Sequence, residues 1–105
     1  MTWCLFLDDD RSLRDVPVPD KYRLKIWMTA RSSQEALAII DRLQSPMFMS
    51  LDHDLGGTDT AMVFLHCLAE KLSKPPEYQV HSENPIGHEN IVAFIESWKK
   101  SLTLP

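Results

Sequence analysis

Two apolar runs in this chain end abruptly in carboxylates, and both predict buried parallel strands. Residues 3–8 are apolar up to the final aspartate and do not alternate, which is typical of a strand covered on both faces. Residues 47–51 repeat this design directly before Asp52. A run over 24–29 alternates partly, as expected nearer a sheet edge, and a shorter, less apolar run covers 77–81. The pattern therefore predicts four strands.

Helical periodicity follows the second, third and fourth of these strands. Ser32 and Glu35 have capping-box spacing and open a helix whose apolar residues recur over 36–43. A second apolar stripe covers 61–72, and a last helix is predicted from about 87–101. Each of these helices can cross over from one parallel strand to the next or cover the sheet.

Turn signals fill the remaining intervals. Residues 9–22 are polar and contain two prolines, which exclude a full helix, so one short turn over 12–15 is the most that we expect there. After the third strand, residues 56–57 are both glycine and permit a tight turn. Either Thr58 or Asp59 is then expected to cap the following helix.

The order of these elements predicts a single α/β domain over residues 1–105. Strand, loop, strand, helix, strand, helix, strand, helix is the alternation that produces a parallel sheet. Right-handed crossovers leave 2-1-3-4 as the natural strand order, with the reversal between strands 1 and 3. Ligands bind at the carboxyl ends of the strands beside such a reversal.

Composition narrows the class of protein. The 105 residues are 44% hydrophobic and 25% charged, as in an ordinary globular protein, and the net charge of −4 argues against a duplex nucleic-acid binder. No run approaches a membrane span or resembles a signal peptide, and we expect no membrane association. Cys4 and Cys67 lie inside element patterns and are expected to be buried, reduced thiols, so the expected location is cytoplasmic.

The two strands beside the reversal are the ones that end in acids. Neighbouring strands lie about 4.8 Å apart, so Asp8, Asp9 and Asp52 are expected to point into one shallow bowl. Clustered carboxylate oxygens suit a hard divalent cation, and we expect Mg²⁺ or Mn²⁺ as the cofactor. Asp10 and Asp54 are second choices as ligands. The alternative is that each acid is a solvated turn residue.

Further candidates share the same rim. His81 can exchange a proton with a phosphate or water near neutral pH, and Asp52 and His53 complete the candidate catalytic set with Ser82. Alternatively, His81 is a strand residue bonded to backbone, and strand alternation turns His53 away from Asp52. Backbone N–H groups at the start of the last helix favour anions. The candidate phosphate or substrate contacts are Ser82, Asn84, His88, Asn90 and Arg11. Arg31 is interpreted as surface charge.

Three segments carry a family resemblance. Leu-Asp-Asp-Asp-Arg at 7–11, the run 50–56, and the run 81–87 followed by Glu-Asn-Ile at 89–91 appear together in that order. In these segments the chain resembles cyclic-phosphate processing receiver domains, a divergent branch of the response-regulator receivers. The resemblance implies a flavodoxin-like three-layer sandwich.

It also implies roles for single residues. Asp8, Asp9 and Asp52 match the receiver acids that hold Mg²⁺, Asp52 matches the phosphoryl acceptor, and Ser82 matches the hydroxyl that contacts the phosphoryl group. Two receiver features are missing from the pattern: the first helix is lost or reduced, and a fifth strand preceded by lysine is absent. Lys99 and its neighbour lie on the last predicted helix instead.

The resemblance and the acid bowl together suggest a reaction class. The leading hypothesis is metal-dependent hydrolysis of a cyclic phosphate or a nucleotide-linked phosphate, with a small phosphorylated or cyclic-nucleotide ligand as the partner. One alternative is a receiver that is phosphorylated on Asp52. Another is a non-catalytic signalling or nucleotide-binding module.

Overall fold

Four parallel strands form one sheet in the order β2-β1-β3-β4, which confirms the predicted topology. The structure is a computed structural model that describes residues 2–104. The strands begin and end within two residues of their predicted positions, at β1 (Trp3–Leu7), β2 (Ile26–Ala30), β3 (Phe48–Leu51) and β4 (Glu77–Val80). Strands β1 and β3 are adjacent at the centre, so the two acid-bearing strand ends are neighbours.

Three long helices pack on one face of this sheet. They are α2 (Ser33–Leu43), α3 (Ala61–Lys71) and α4 (Pro85–Ser101), and α3 packs against both of the others. Alternate residues of β1, namely Trp3, Leu5 and Leu7, point into the core beneath these helices. The fold is thus the expected α/β receiver-like architecture. Leu102, the first residue after α4, is exposed.

The opposite face of the sheet is covered by the segment that follows β1. This segment contains a 3₁₀ turn (Leu13–Asp15) and a short helix α1 (Asp20–Arg23). The prediction of at most one turn was wrong, because Pro19 precedes α1 at its N-cap position, where a missing N–H breaks no helical hydrogen bond. Tyr22 of α1 is buried against Cys4 and Phe48, so this short segment replaces the third layer of helices.

The predicted capping box of α2 is divided between two neighbours. The Ser32 side chain accepts a hydrogen bond from the Glu35 N–H at 3.1 Å, as predicted. The Glu35 carboxylate accepts from the Arg31 N–H at 3.0 Å, one residue before the cap. One backbone N–H in the first turn of α2 and one just before its cap are therefore hydrogen-bonded, immediately after the carboxyl end of β2.

The predicted cap of α3 was wrong by one residue. Thr60 caps this helix and accepts a hydrogen bond from the Met62 N–H at 3.2 Å, whereas neither Thr58 nor Asp59 does. The Asp59 carboxylate instead accepts two hydrogen bonds from Ser33. The backbone N of Ser33 lies 2.8 Å from Asp59 Oδ2, and the Ser33 hydroxyl oxygen lies 2.5 Å from Asp59 Oδ1. Asp59 therefore lies at the start of α2, although it is distant from that helix in sequence, and the helix dipole stabilises its negative charge there.

The two thiols differ in burial. Cys4 is buried in β1, and burial raises the pKa of its thiol, whereas Cys67 on α3 is only partly buried, contrary to expectation. Both are free. Among residues 2–104, no helix is long and apolar enough to cross a membrane.

Candidate functional site

A cleft of about 590 Å³ lies at the carboxyl ends of the central strands. It is bounded by the loops that follow β1, β3 and β4, as expected for the rim of a parallel sheet. Its walls are dominated by carboxylates: it is lined by Asp8, Asp9, Asp10, Arg11, Asp52, Asp54, Gly56, Gly57, Ser82, Glu83 and Asn84.

Asp8 forms the floor of this cleft and is fully buried. Its Oδ1 accepts hydrogen bonds from the backbone N–H groups of Asp10 and Arg11, both at 2.9 Å. Its Oδ2 accepts from Arg11 Nε and from His81 Nε2, also at 2.9 Å. Burial alone raises the pKa of the Asp8 carboxyl, but the bonds from Arg11, Asp10 and His81 lower that pKa below its usual value. Asp8 is therefore held as a carboxylate.

A buried chain of hydrogen bonds runs from Asp8 back along the sheet. His81 Nδ1 lies 2.7 Å from Ser50 Oγ, and Ser50 Oγ lies 2.9 Å from Gln79 Nε2, which also donates to the carbonyl of Pro17. The His81 ring lies parallel to the Phe6 ring, with centroids 4.9 Å apart. These hydrogen bonds lie on the sheet face that the segment after β1 covers.

The donor and acceptor roles in this chain follow from the charges. Burial lowers the pKa of His81 despite the neighbouring Asp8, so the neutral imidazole is favoured. Because an ionised Asp8 only accepts, the proton must sit on His81 Nε2, and Nδ1 must accept from the Ser50 hydroxyl. Ser50 in turn accepts from Gln79. Every group is satisfied, which fixes the His81 ring and, through it, the orientation of Asp8.

Asp52 stands beside Asp8 in a less favourable setting. Its carboxylate is nearly buried, and Oδ1 accepts a 2.8 Å hydrogen bond from the His53 N–H. Burial, followed by the charge of Asp8, raises the pKa of the Asp52 carboxyl. Asp9 is exposed, yet one oxygen from each of Asp8, Asp9 and Asp52 lies within 4.8 Å of the others. Close carboxylates of this kind repel one another, and nearby positive charge reduces that repulsion.

In this structure the guanidinium of Arg11 supplies positive charge to the acids. Its Nε contacts Asp8 Oδ2 at 2.9 Å, and its Nη2 lies 3.5 Å from Asp52 Oδ1. Nη2 also donates to the carbonyl of His81 at 3.1 Å, and Nη1 lies 3.9 Å from the exposed Glu83. Arg31 is not simply surface charge, because its Nη1 donates to the carbonyls of Asp8 and Arg11 at 3.1 and 2.6 Å. It ties the end of β2 to the loop that carries the acids.

The rim that follows β4 is built by hydrogen bonds of Ser82 and Asn84. Asn84 caps α4 by accepting from the Gly87 N–H at 3.1 Å, and its Nδ2 donates to Asp54 Oδ2 at 3.2 Å. Ser82 Oγ accepts from the Asn84 N–H at 3.1 Å and lines the cleft. The N–H of Gly87 is thus taken by the cap and Pro85 has none, so the first turn of α4 offers fewer N–H groups to an anion than an uncapped helix start does.

The loop opposite this rim approaches the acids closely. Gly56 has φ +93°, a conformation that side-chain-bearing residues rarely adopt. A Cβ at this position would lie 3.4 Å from Asp9 Oδ2. Glycine therefore lets the loop after β3 turn directly beside the exposed acid.

His53 lies outside the cleft. Its Nδ1 is 3.0 Å from Asp54 Oδ1, which, with Asn84, lowers the pKa of the Asp54 carboxyl. Its ring is buried against the start of α4, so closely that a Cβ on Gly87 would lie 2.4 Å from His53 Cγ. Alternation along β3 turns His53 away from Asp52, which was the alternative left open by the sequence.

The expected site residues thus divide into two groups. The structure brings together at the cleft the acids and polar groups Asp8, Asp9, Asp52, Arg11, Ser82 and Asn84. Four others do not line it: His81 and His53 are buried beside it, and His88 and Asn90 are exposed on α4.

Sequence reasoning missed Ser50 and Gln79, which support the site from below. The period of a strand was an available signal, because Ser50 precedes Asp52 by two residues and Gln79 precedes His81 by two. Phe6, Ser50 and Gln79 are register partners across three strands, so they form the row beneath the acids. Polar residues in an otherwise apolar row indicate a supporting network.

The donor set fits a hard divalent cation. Asp9 is exposed and offers its carboxylate to the cleft, and Asp52 has an oxygen beyond the one bonded to His53. Asp8 completes three carboxylates from two adjacent loops, with open space beside them for water ligands. No sulfur ligand is present among these residues, so the site chemistry suits Mg²⁺ or Mn²⁺.

Comparison with known proteins shows which family the chain belongs to. The family model described as the cyclic-phosphate processing receiver domain matches residues 3–97, which include all four strands and most of α4. Neither a curated protein nor a solved structure matches. The match covers both acid-bearing loops and the segment from His81 to the start of α4. The chain belongs to the cyclic-phosphate processing receiver domain family.

Proposed function

We propose that this protein hydrolyses a cyclic phosphate or a nucleotide-linked phosphate in the acidic cleft, with the help of a divalent cation. The observation that carries the proposal is the convergence of Asp8, Asp9 and Asp52, with one oxygen of each within 4.8 Å of the others. The description of the family supports a cyclic phosphate as the substrate class.

The charge of the cleft supports a requirement for the cation. Six carboxylates and a single guanidinium line it in the part of the chain that the structure describes. A phosphate anion is repelled by such a wall unless positive charge is added. A cation held by Asp8, Asp9 and Asp52 makes the cleft compatible with a phosphate.

The side chains have separate tasks in this proposal. Asp8, Asp9 and Asp52 hold Mg²⁺ or Mn²⁺, which when bound neutralises phosphate charge and orients water. Arg11 and Ser82 line the cleft, where they contact the phosphate oxygens. His81 acts as a positioning residue for Asp8, since both of its ring nitrogens are already bonded.

Turnover of a defined panel tests the proposal. Purified protein is incubated with Mg²⁺ or Mn²⁺ and 2′,3′- and 3′,5′-cyclic nucleotides, and products are followed by ³¹P NMR. We expect hydrolysis that EDTA abolishes and that Asp52→Ala reduces by at least about 10²-fold, as for loss of a group essential to positioning. Asp41→Asn is the matched control, since Asp41 is an exposed acid on α2 paired with Lys71. Absence of turnover, or equal turnover by Asp52→Ala, contradicts the proposal.

A second candidate is a module that binds a phosphorylated ligand without converting it. The observation in its favour is that both nearby imidazoles, His53 and His81, lie buried outside the cleft wall. Ligand that is recovered chemically unchanged after metal-dependent binding favours this candidate.

Phosphorylation of Asp52 is the signalling form of this second candidate. It predicts a mass gain of one phosphoryl group after treatment with acetyl phosphate. That gain should be absent from Asp52→Asn.

A further inference from the structure

Asp8 has no free acceptor position in this structure. An ionised carboxylate offers about four lone-pair sites, two on each oxygen. Oδ1 is filled by the N–H groups of Asp10 and Arg11, and Oδ2 by Arg11 Nε and His81 Nε2. Coordination of a cation by Asp8 therefore requires one of these four donors to leave.

Three of the four donors are fixed. The two backbone N–H groups belong to the tight turn that leaves β1, and Arg31 holds that turn by bonding to the carbonyls of Asp8 and Arg11. His81 is held between Ser50 and Asp8 and against the Phe6 ring, with only 6% of its side chain exposed.

The fourth donor, Arg11 Nε, is the least confined of the four. The Arg11 side chain is 31% exposed, and its head group lies at the cleft surface. Its remaining contacts are one hydrogen bond, from Nη2 to the His81 carbonyl at 3.1 Å, and two longer approaches, to Asp52 at 3.5 Å and to the exposed Glu83 at 3.9 Å. An arginine on a flexible stem can rotate away while its backbone stays in place.

We propose that Arg11 is an exchangeable counter-ion: a divalent cation displaces its guanidinium from Asp8, and the guanidinium then turns into the cleft. There it faces the position of the bound anion, beside Glu83 on the loop after β4. This inference rests on the cation-binding part of the proposed function and is independent of turnover. It deepens that function by setting an order, in which the cation binds first and makes Arg11 available to the phosphate.

The exchange has a measurable consequence for affinity. Cation binding to the native chain must break the charge-assisted Arg11–Asp8 bond, and a bond of that kind contributes about 1.5–3 kcal/mol. Removing the guanidinium should therefore tighten cation binding by at least about tenfold, at 1.4 kcal/mol per factor of ten. If Arg11 instead helped to build the cation site, its removal would weaken binding.

Calorimetric titration with Mn²⁺ alone separates these outcomes. The dissociation constant is compared among the wild-type protein, Arg11→Gln and Arg11→Lys, with Arg14→Gln as the matched control. Arg14 is an exposed arginine three residues further along the same segment and contacts none of the acids, so its loss should change Kd less than about twofold. We expect the tightest binding for Arg11→Gln and an intermediate value for Arg11→Lys, which keeps the charge without the planar fork. Equal or weaker binding by Arg11→Gln overturns the inference, as does absence of binding by every form.

A second measurement uses the native chain and avoids the question of whether variants fold. The Nε–H resonance of Arg11 is followed by ¹⁵N NMR during titration with diamagnetic Mg²⁺. We expect this resonance to lose its hydrogen-bonded shift and its protection from exchange, while the Nε2–H resonance of His81 persists. An Arg11 resonance that is unchanged at saturation overturns the inference. Because no substrate is present, failure of hydrolysis leaves both results interpretable.

Discussion

Replacing the central acid should make the metal-free protein more stable. Asp52 is nearly buried, and burial together with the charge of Asp8 raises the pKa of its carboxyl. The nearest chosen oxygens of Asp8 and Asp52 lie within 4.8 Å of each other, and two charges at that limit repel by roughly 3.5 kcal/mol at an effective dielectric constant of about 20. Arg11 Nη2, 3.5 Å from Asp52, attracts by roughly 4.7 kcal/mol on the same scale. These two interactions nearly cancel, so the burial of the carboxylate determines the sign.

The variant that tests this balance is Asp52→Asn, which keeps an acceptor for the His53 N–H and removes the charge. We expect the free energy of unfolding in EDTA at pH 7.5 to rise by about 1–3 kcal/mol, the usual penalty for an incompletely paired buried polar group. Thermal melts followed by circular dichroism should show Tm raised by at least about 4 °C. Asp10→Asn is the control, because Asp10 is an exposed acid of the same cleft.

The dependence of the free energy of unfolding on pH shows whether the charge of Asp52 stabilises or destabilises the folded protein. A carboxyl whose pKa is raised by folding binds its proton more strongly in the folded state. Wild-type stability therefore falls as pH rises from the unfolded pKa of about 3.9 through the raised folded pKa, whereas the variant lacks this fall. The advantage of Asp52→Asn should thus be absent below pH 3.9 and complete at neutral pH. A variant that is less stable than wild type in EDTA at pH 7.5 would refute the reasoning.

Three further predictions concern the framework of the site. Ser50→Ala leaves His81 Nδ1 without its donor, so urea unfolding should show a loss of about 1–3 kcal/mol; an unchanged midpoint would contradict the buried chain. Gly87→Ala places a Cβ 2.4 Å from His53 Cγ and should cost about 1–3 kcal/mol, whereas a stabilising effect would show that α4 moves freely. Asp59→Ala removes the acceptor at the start of α2 and should lower the free energy of unfolding by about 0.5–2 kcal/mol in urea titrations. An unchanged free energy of unfolding would show that the contact between Asp59 and Ser33 does not stabilise the fold.

The sheet and the central acids could be predicted because they depend on short-range patterns. Apolar runs located the strands, and the handedness of crossovers then fixed the order in which they pair. Asp8 and Asp52 each follow directly after a central strand, so their proximity is a consequence of topology. Arg11 was expected at the cleft for its place in the same loop.

The two histidines are surrounded by residues distant in sequence, and local pattern alone does not identify those partners. His81 precedes the loop after β4 and was expected to face a substrate, yet Ser50 and Asp8, distant in sequence, take both of its nitrogens. His53 is turned toward α4 by strand alternation and is covered because residue 87 is glycine. The cap of α3 likewise depends on where α2 begins in space. Asp59 bonds to Ser33 at the start of α2, and its neighbour Thr60 caps α3.

The acidity of the cleft also bears on how fast ligands arrive. Six carboxylates against one guanidinium, among residues 2–104, create a negative field at the mouth. Diffusional encounter with Mg²⁺ or Mn²⁺ is accelerated by this field, so the association rate should fall as ionic strength rises and the Debye length shrinks. A free nucleotide is negatively charged and is repelled by the same field, so it should associate faster as salt is added. A nucleotide already paired with a cation carries less negative charge, and it therefore approaches this cleft against a smaller barrier.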